Sequence, residues 1–327
     1  MSIPKFASWW RPSLQRVAAG LAFICIVSAA QAATDDGIAV DKAAYANRTT
    51  LDDFTAAACP DTPRGLVHVQ GSLYRHTVGG GATLHSGLVL ITGEGALVVD
   101  PAMTCTSTWL KGEIARRFHV GVKYVVYTHA HADHISGGQV FQKDGALVVA
   151  NRRAIEPIVG EKLPTALPDR IFDTDMTITL GGETVQLHRV APSHSNSMVM
   201  VYFPEYRALQ CTDVCESKST PYNDFLDFYY DGWMETLDWV VAKNAVVIDV
   251  GHYTLAKTAD IVAERAYLVD LHQQVLDAVR AGQSWDQLYR KVKFSPEVQH
   301  WTGFDTMKTL NILGMYRWVD SHRRGEW

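Results

Sequence analysis

From residue 65 onwards the chain is written in short apolar runs broken by glycine, which read as the strands of a sheet. Residues 66–69, 88–91 and 96–99 each form such a run, and Thr92-Gly93-Glu94-Gly95 between the last two suits a tight hairpin turn. The period then changes. Leu110, Ile114 and Phe118 recur every fourth position among charged neighbours, predicting an amphipathic helix over 104–118. A β-branched and aromatic run at 122–127 follows as a buried strand, so strand, helix and strand imply a parallel pair. Further strands are expected at 146–150, 198–203, 207–212 and 245–250, with a hairpin over 177–191 turning at Gly181-Gly182. Beyond residue 258 the pattern is helical. Ile261, Leu268, Leu271, Val275 and Val279 make a stripe that ends at Gly282, a C-cap signal, and two more helices begin at Ser284 and Asp305.

This divides the chain into an N-terminal arm at 33–64, a layered domain at 65–255 and a C-terminal helical extension at 256–327. Residues 1–32 stand apart: Lys5, Arg11 and Arg16 precede the apolar run 17–30, which ends in Ala30-Gln31-Ala32. That is the pattern of a signal peptide, and its apolar run is short of the ~20 residues that cross a bilayer. The expected location is therefore periplasmic or secreted, with no stable membrane anchor after cleavage. With 47% hydrophobic and 20% charged residues, composition is ordinary globular. Cleavage would remove three of 30 Lys+Arg and none of 35 Asp+Glu, leaving a formal charge of −8, so nucleic acid is not an expected partner. Cys59, Cys105, Cys211 and Cys215 would remain, an even count that an oxidising compartment permits to pair. Cys211 and Cys215 are close enough to pair locally, but they flank Asp213, so a free-thiol or ligand role competes.

Chemistry enters at residues 127–138, Tyr-Thr-His-Ala-His-Ala-Asp-His-Ile-Ser-Gly-Gly. Three imidazoles and a carboxylate fall within His129 to His134, on a loop at a strand's C-terminal end. Imidazole nitrogen and carboxylate oxygen are donors that Zn²⁺ prefers, and at these spacings they cannot all face one ion, which predicts two. A structural zinc would favour cysteines, and none lies in this stretch. His194, Asp213 and His252 each also follow an expected strand, and open α/β architectures gather such strand-end groups into one crevice. Gly79-Gly80-Gly81 beside His76 and His85 marks a flexible turn, with a flap over the site that carries additional metal ligands as the competing reading. The two histidines are expected to be solvated loop residues.

His129, His131, Asp133 and His134 make the His-x-His-x-Asp-His signature of the metallo-β-lactamase superfamily, which residues 65–255 resemble. Ser193-His194, Asp213 and Gly251-His252 follow in the family's order. The resemblance implies an α/β fold, a four-layer αββα sandwich. It also implies two Zn²⁺ or other divalent ions, the first held by His129, His131 and His194, the second by Asp133, His134 and His252, with Asp213 shared. Asp213 stands where β-lactamases with a thiolate ligand have Cys, so the chain looks more like the general hydrolase branch. The implied activity is an exported dinuclear zinc hydrolase that cleaves a small ester, lactone or amide-like substrate by a metal-bridging hydroxide, with Asp133 orienting it and moving a proton. The alternatives are a sulfate-ester hydrolase of the alkylsulfatase type or a β-lactamase, and more distantly a mononuclear iron sulfur dioxygenase. Lys218, Tyr229 and Trp233, in the aromatic stretch 214–233, are the candidate substrate contacts, solvation and core packing being the ordinary alternatives. The aromatic loop or the C-terminal helices could also serve a homodimer.

Overall fold

The computed structural model describes residues 37–45 and 62–322, so the expected signal peptide and Cys59 lie outside the described residues. Two sheets form the middle of the molecule. Along the chain come β1 (Ile38–Ala39), β2 (Arg64–Gln70), β3 (Leu73–Val78), β4 (His85–Thr92), β5 (Gly95–Val99), α1 (Thr104–Phe118) and β6 (Val122–Val126). Next are α2 (Ala132–Ile135), α3 (Gly138–Gln142), β7 (Leu147–Asn151), α4 (Ile155–Gly160) and β8 (Arg170–Phe172). The first sheet has the order β1-β8-β7-β6-β5-β4-β3-β2, with β5 to β8 parallel and β2 to β5 antiparallel.

The second sheet is built from β9 (Asp175–Leu180), β10 (Glu183–Arg189), β11 (Val199–Phe203), β12 (Ala208–Gln210) and β13 (Val247–Asp249), in the order β13-β12-β11-β10-β9. Three helices complete its outer layer: α5 (Tyr230–Lys243), which precedes β13, then α6 (Thr258–Arg280) and α8 (Phe304–His322). A four-residue helix, α7 (Trp285–Leu288), lies between the last two. The helix expected from Ser284 is thus a single turn, and Val292 lies beyond it.

Residue alternation explains the layering. In β5, Leu97 and Val99 point between the sheets, whereas Ala96 and Val98 pack beneath Leu110 and Ile114 of α1. Both faces of that strand are buried, which is why its sequence is a continuous apolar run rather than an alternating one. In β11, Val199, Val201 and Phe203 face the first sheet, and Met200 packs with Leu237 of α5 and Leu268 of α6. The α/β/β/α order follows. The C-terminal helices are not peripheral to it: Ile312 and Met315 of α8 share that cluster with Trp233.

The strand β3 was not apparent in the sequence because Arg75 and His76 interrupt its apolar positions. Both are buried in the fold. His76 stands in β3 with a ring nitrogen 3.2 Å from the Val99 carbonyl, and His85 opens β4, so neither is the solvated loop histidine expected from the glycine-rich neighbourhood. Cys211 and Cys215 form a disulfide around Asp213, which removes the competing thiol-ligand reading, and Cys105 is also disulfide-bonded.

Candidate metal centre

The parallel strand β6 delivers its C-terminal residues to the sandwich's edge, where Thr128 is pinned by Asp100 at the end of β5. The Thr128 amide donates to Asp100 Oδ1 at 2.8 Å and its hydroxyl to Oδ2 at 2.7 Å, while Thr212 Oγ1 donates to Oδ2 at 2.9 Å. Asp100 therefore ties the His129 loop to the segment carrying Asp213. Burial raises its pKa to about 6, and the three donors and His134 work against that rise. Asp100 is thus a positioning carboxylate, a role that nothing in its sequence neighbourhood discloses.

With its proton committed to Asp100, the Thr128 hydroxyl can only accept from His129 Nδ1, 3.1 Å away. That leaves His129 Nε2 with a lone pair, buried and without a hydrogen-bond partner. Burial also holds the pKa of His129 well below that of a free imidazole, and lowers that of His194. Neutral rings with inward lone pairs are what metal coordination requires.

All seven residues expected as ligands meet here. The donor atoms of His129, His131, His194 and Asp213 lie within 4.8 Å of one another, as do those of His134, Asp213 and His252. Asp213 belongs to both groups. Its Oδ2 is 3.4 Å from His129 Nε2 and 3.4 Å from His194 Nε2, and its Oδ1 is 3.0 Å from His252 Nε2. A left-handed backbone (φ 61°) turns this side chain inward from the end of β12, a conformation that Asp tolerates better than most residues. Asp133 and His134 sit not on a loop but on the single turn of α2, one with its carboxylate open to the cavity and one buried. Burial opposes charge on His134, but Asp213, Asp133 and Asp100 outweigh it and raise its pKa to about 10. The same carboxylates would stabilise a metal cation.

One residue in this constellation was expected to be solvated instead. His85 Nε2 is 3.1 Å from Asp133 Oδ2, and with His252 the two make a third group of close donors. No spacing relates His85 to the signature, and only the pairing of β4 beside β5 brings it there.

A cavity of about 430 Å³ opens over these groups. His131, His194, Asp133, Asp213 and His252 form its floor, and Tyr222, Phe225, Leu226, Phe228, Trp233 and Tyr253 supply apolar wall. Of the three expected substrate contacts only Trp233 lines it. Lys218 is instead 3.8 Å from Asp260 at the start of α6, and Tyr229 is exposed outside the lining. The physical reason is the chain's course: α5 begins at Tyr230, and its first turn buries Trp233 while leaving Tyr229 outside.

Glu216 also lines the cavity, and burial raises its pKa to about 7. Its amide donates to Glu264 Oε2 at 2.8 Å, and Glu264, fully buried with Oε1 unpartnered, is pushed well above the usual carboxylate range by burial and then by Glu216. Folding therefore holds a proton on Glu264 that the unfolded chain releases above about 4.5, and stability falls as pH rises from there towards the folded value. Glu264→Gln is expected to match the wild type near that lower limit and to exceed it increasingly above, by up to ~1.4 kcal/mol per pH unit. Urea unfolding at several pH values reads this; parallel curves for the two proteins would show Glu264 to be charged.

A family model described as the metallo-β-lactamase superfamily matches residues 80–252, spanning β4 to His252 and every residue of the centre. The chain belongs to the metallo-β-lactamase superfamily. As a member it is a metal-dependent hydrolase. It is 24% identical over 200 residues to the 2,4-dinitroanisole O-demethylase subunit alpha of Nocardioides sp. (strain JS1661), a match covering 59% of this chain and 61% of that one. It is 25% identical over 179 residues to the metallo-β-lactamase type 2 of Bacteroides fragilis, covering 53% of this chain and 71% of the relative. The solved metallo-β-lactamase from Pontibacter korlensis shares the fold with a TM-score of 0.58 at 21% identity, over 63% of this chain and 99% of that one. The family-model match ends at His252, and α6 to α8, which follow it, pack into the core beside α5.

Proposed function

We propose that this protein is an exported dinuclear zinc hydrolase that cleaves a small, uncharged ester, lactone or amide-like substrate. The observation that carries the proposal is the sharing of Asp213 between two clusters of buried donors, in which His129 Nε2 has no hydrogen-bond partner and the two Asp213 oxygens face His134 Nε2 at 2.9 Å and His252 Nε2 at 3.0 Å. Buried polar atoms left in that state are costly, and a cation is the partner that satisfies imidazole and carboxylate together. His129, His131 and His194 would hold one ion and Asp133, His134 and His252 the other, with Asp213 between them. A pair of such ions supplies a hydroxide nucleophile near neutral pH and polarises the substrate's oxygen.

The chain's own groups divide the remaining work. Asp133, at the cavity floor, orients the nucleophile and passes its proton to the leaving group. Trp233, Phe228 and Tyr222 exclude water from the bound substrate. Among the described residues lining the cavity none is Lys or Arg, while Asp227 and Glu216 face it. That wall favours an uncharged substrate over a sulfate ester; it equally disfavours the carboxylate of a β-lactam, which is the second reading on the likeness to metallo-β-lactamases alone. The Cys211–Cys215 disulfide supports export to an oxidising compartment. No helix of the described residues is long and apolar enough to cross a membrane.

The purified protein is expected to contain two zinc equivalents and to turn over a member of an ester, lactone and lactam panel. EDTA should abolish that turnover and lower Tm, since each ion bound at a thousand times its Kd contributes about 4 kcal/mol, and Zn²⁺ should restore both. A single iron per chain in elemental analysis, with oxygen-dependent turnover, would replace this reading by that of an iron oxygenase.

A further inference from the structure

We propose that His85 is an eighth donor of the centre, binding the second ion through Nε2 alongside Asp133 and His252; this rests on the dinuclear reading above. His85 is the first residue of β4, and its ring is directed into the cluster. Its centroid lies 4.7 Å from that of His252 and 5.7 Å from that of His134. Nε2 is 3.1 Å from Asp133 Oδ2, and the donor atoms of His85, Asp133 and His252 all lie within 4.8 Å of one another.

Hydrogen bonding on the far side of the ring sets what Nε2 can offer. Nδ1 of His85 is 3.2 Å from the Thr83 carbonyl, and a carbonyl only accepts, so Nδ1 carries the proton. In the neutral ring Nε2 then presents a lone pair. His252 is held in the same way by the next carbonyl of the same segment: its Nδ1 is 2.8 Å from the Leu84 carbonyl and its Nε2 faces Asp213 Oδ1 at 3.0 Å. One stretch of backbone thus orients two imidazoles, each with Nε2 towards a carboxylate oxygen. A backbone carbonyl behind the ring is the arrangement that fixes tautomer and orientation in metal-bound histidine.

A lone pair on Nε2 facing a carboxylate oxygen at 3.1 Å requires positive charge between them. That charge is either a proton, which would make His85 a simple ion-pair partner of Asp133, or the cation itself. The donor set favours the cation. Asp133 Oδ2 is also 3.3 Å from His134 Nε2 and 3.9 Å from His252 Nε2, so three imidazoles surround one oxygen. A borderline divalent ion such as Zn²⁺ suits such nitrogen-rich surroundings better than Mg²⁺ or Ca²⁺. An additional nitrogen donor would hold the second ion more tightly than Asp133, His134 and His252 hold it without His85.

The test compares the wild-type chain with His85→Ala and His85→Asn, each loaded with Zn²⁺ and titrated against a chromophoric chelator. Asn can keep a hydrogen bond to Asp133 but is a poor zinc ligand, so it separates the two roles. Both variants are expected to bind the second ion about 10–100-fold more weakly while the first is unchanged, the unchanged first ion reporting that the fold is intact. Co²⁺-substituted protein should show the matching change in the visible bands of one site only. Second-site affinity within twofold of wild type in both variants overturns the assignment, as does equal weakening of both ions in the Asn variant. A wild-type protein that takes up a single ion overturns the dinuclear reading itself, and is recognised before any substitution is made.

Discussion

Asp133→Asn is expected to lower kcat by a factor of about 10²–10⁴ with zinc still bound, the range that loss of a positioned acid or base produces. The geometry separates this carboxylate from the other ligands. Asp213 is almost enclosed, its side chain 10% exposed, whereas the side chain of Asp133 is 45% exposed and lines the cavity. One face of Asp133 meets His85 and His134, while the other is open to whatever the cavity holds. Histidines around it keep its carboxyl below the usual carboxylate range despite the opposing effect of burial, so it is an ionised acceptor at neutral pH. Asn preserves the shape and one oxygen but cannot carry a proton onward. Wild-type kcat in a variant shown by elemental analysis to be zinc-replete would remove Asp133 from the chemistry and leave it a ligand.

The second large effect lies beneath the centre. Arg75 of β3 and Asp249 of β13 form a buried ion pair between the two sheets, with Nε 3.2 Å from Oδ2 and Nη2 3.1 Å from Oδ1. The guanidinium also donates to Ser86 Oγ at 2.7 Å and to the Tyr253 carbonyl at 2.9 Å. Asp249 in turn accepts from Ser86 Oγ at 2.7 Å and from the Gly251 amide at 3.2 Å. Gly251 is at φ 81°, and a Cβ there would lie 2.6 Å from the Thr212 side chain, so the turn carrying His252 accepts no larger residue. This network fixes His252 from below and the start of β4 from beside.

Arg75→Met is therefore expected to cost about 3–5 kcal/mol, because it strands a buried carboxylate. Combining it with Asp249→Leu should recover much of that cost, since the penalty belongs to the unpaired charge more than to the lost pair. Urea unfolding of the single and double variants measures both. A loss below ~1 kcal/mol in the single variant would mean that water or another cation already serves Asp249.

The ligand set was legible because its parts are local. His129 to His134 lie within six consecutive residues, and the apolar runs before His194, Asp213 and His252 announce strands whose ends can share an edge. Hydrophobic periodicity determined the strands that carry those ligands, the helix of residues 104–118 and the long C-terminal helices, since burial on one or both faces imposes it. Tertiary structure alone decided the rest. His85 and Asp133 are 48 positions apart and Arg75 and Asp249 are 174 apart, and nothing periodic links them. It likewise paired Cys211 with Cys215, made Asp100 the tie between two ligand loops, and sent Lys218 to Asp260 rather than to the cavity. Spacing along a chain records which groups can share one element's face; which elements lie side by side is set by sheet register and by packing between layers, and those are properties of the folded whole.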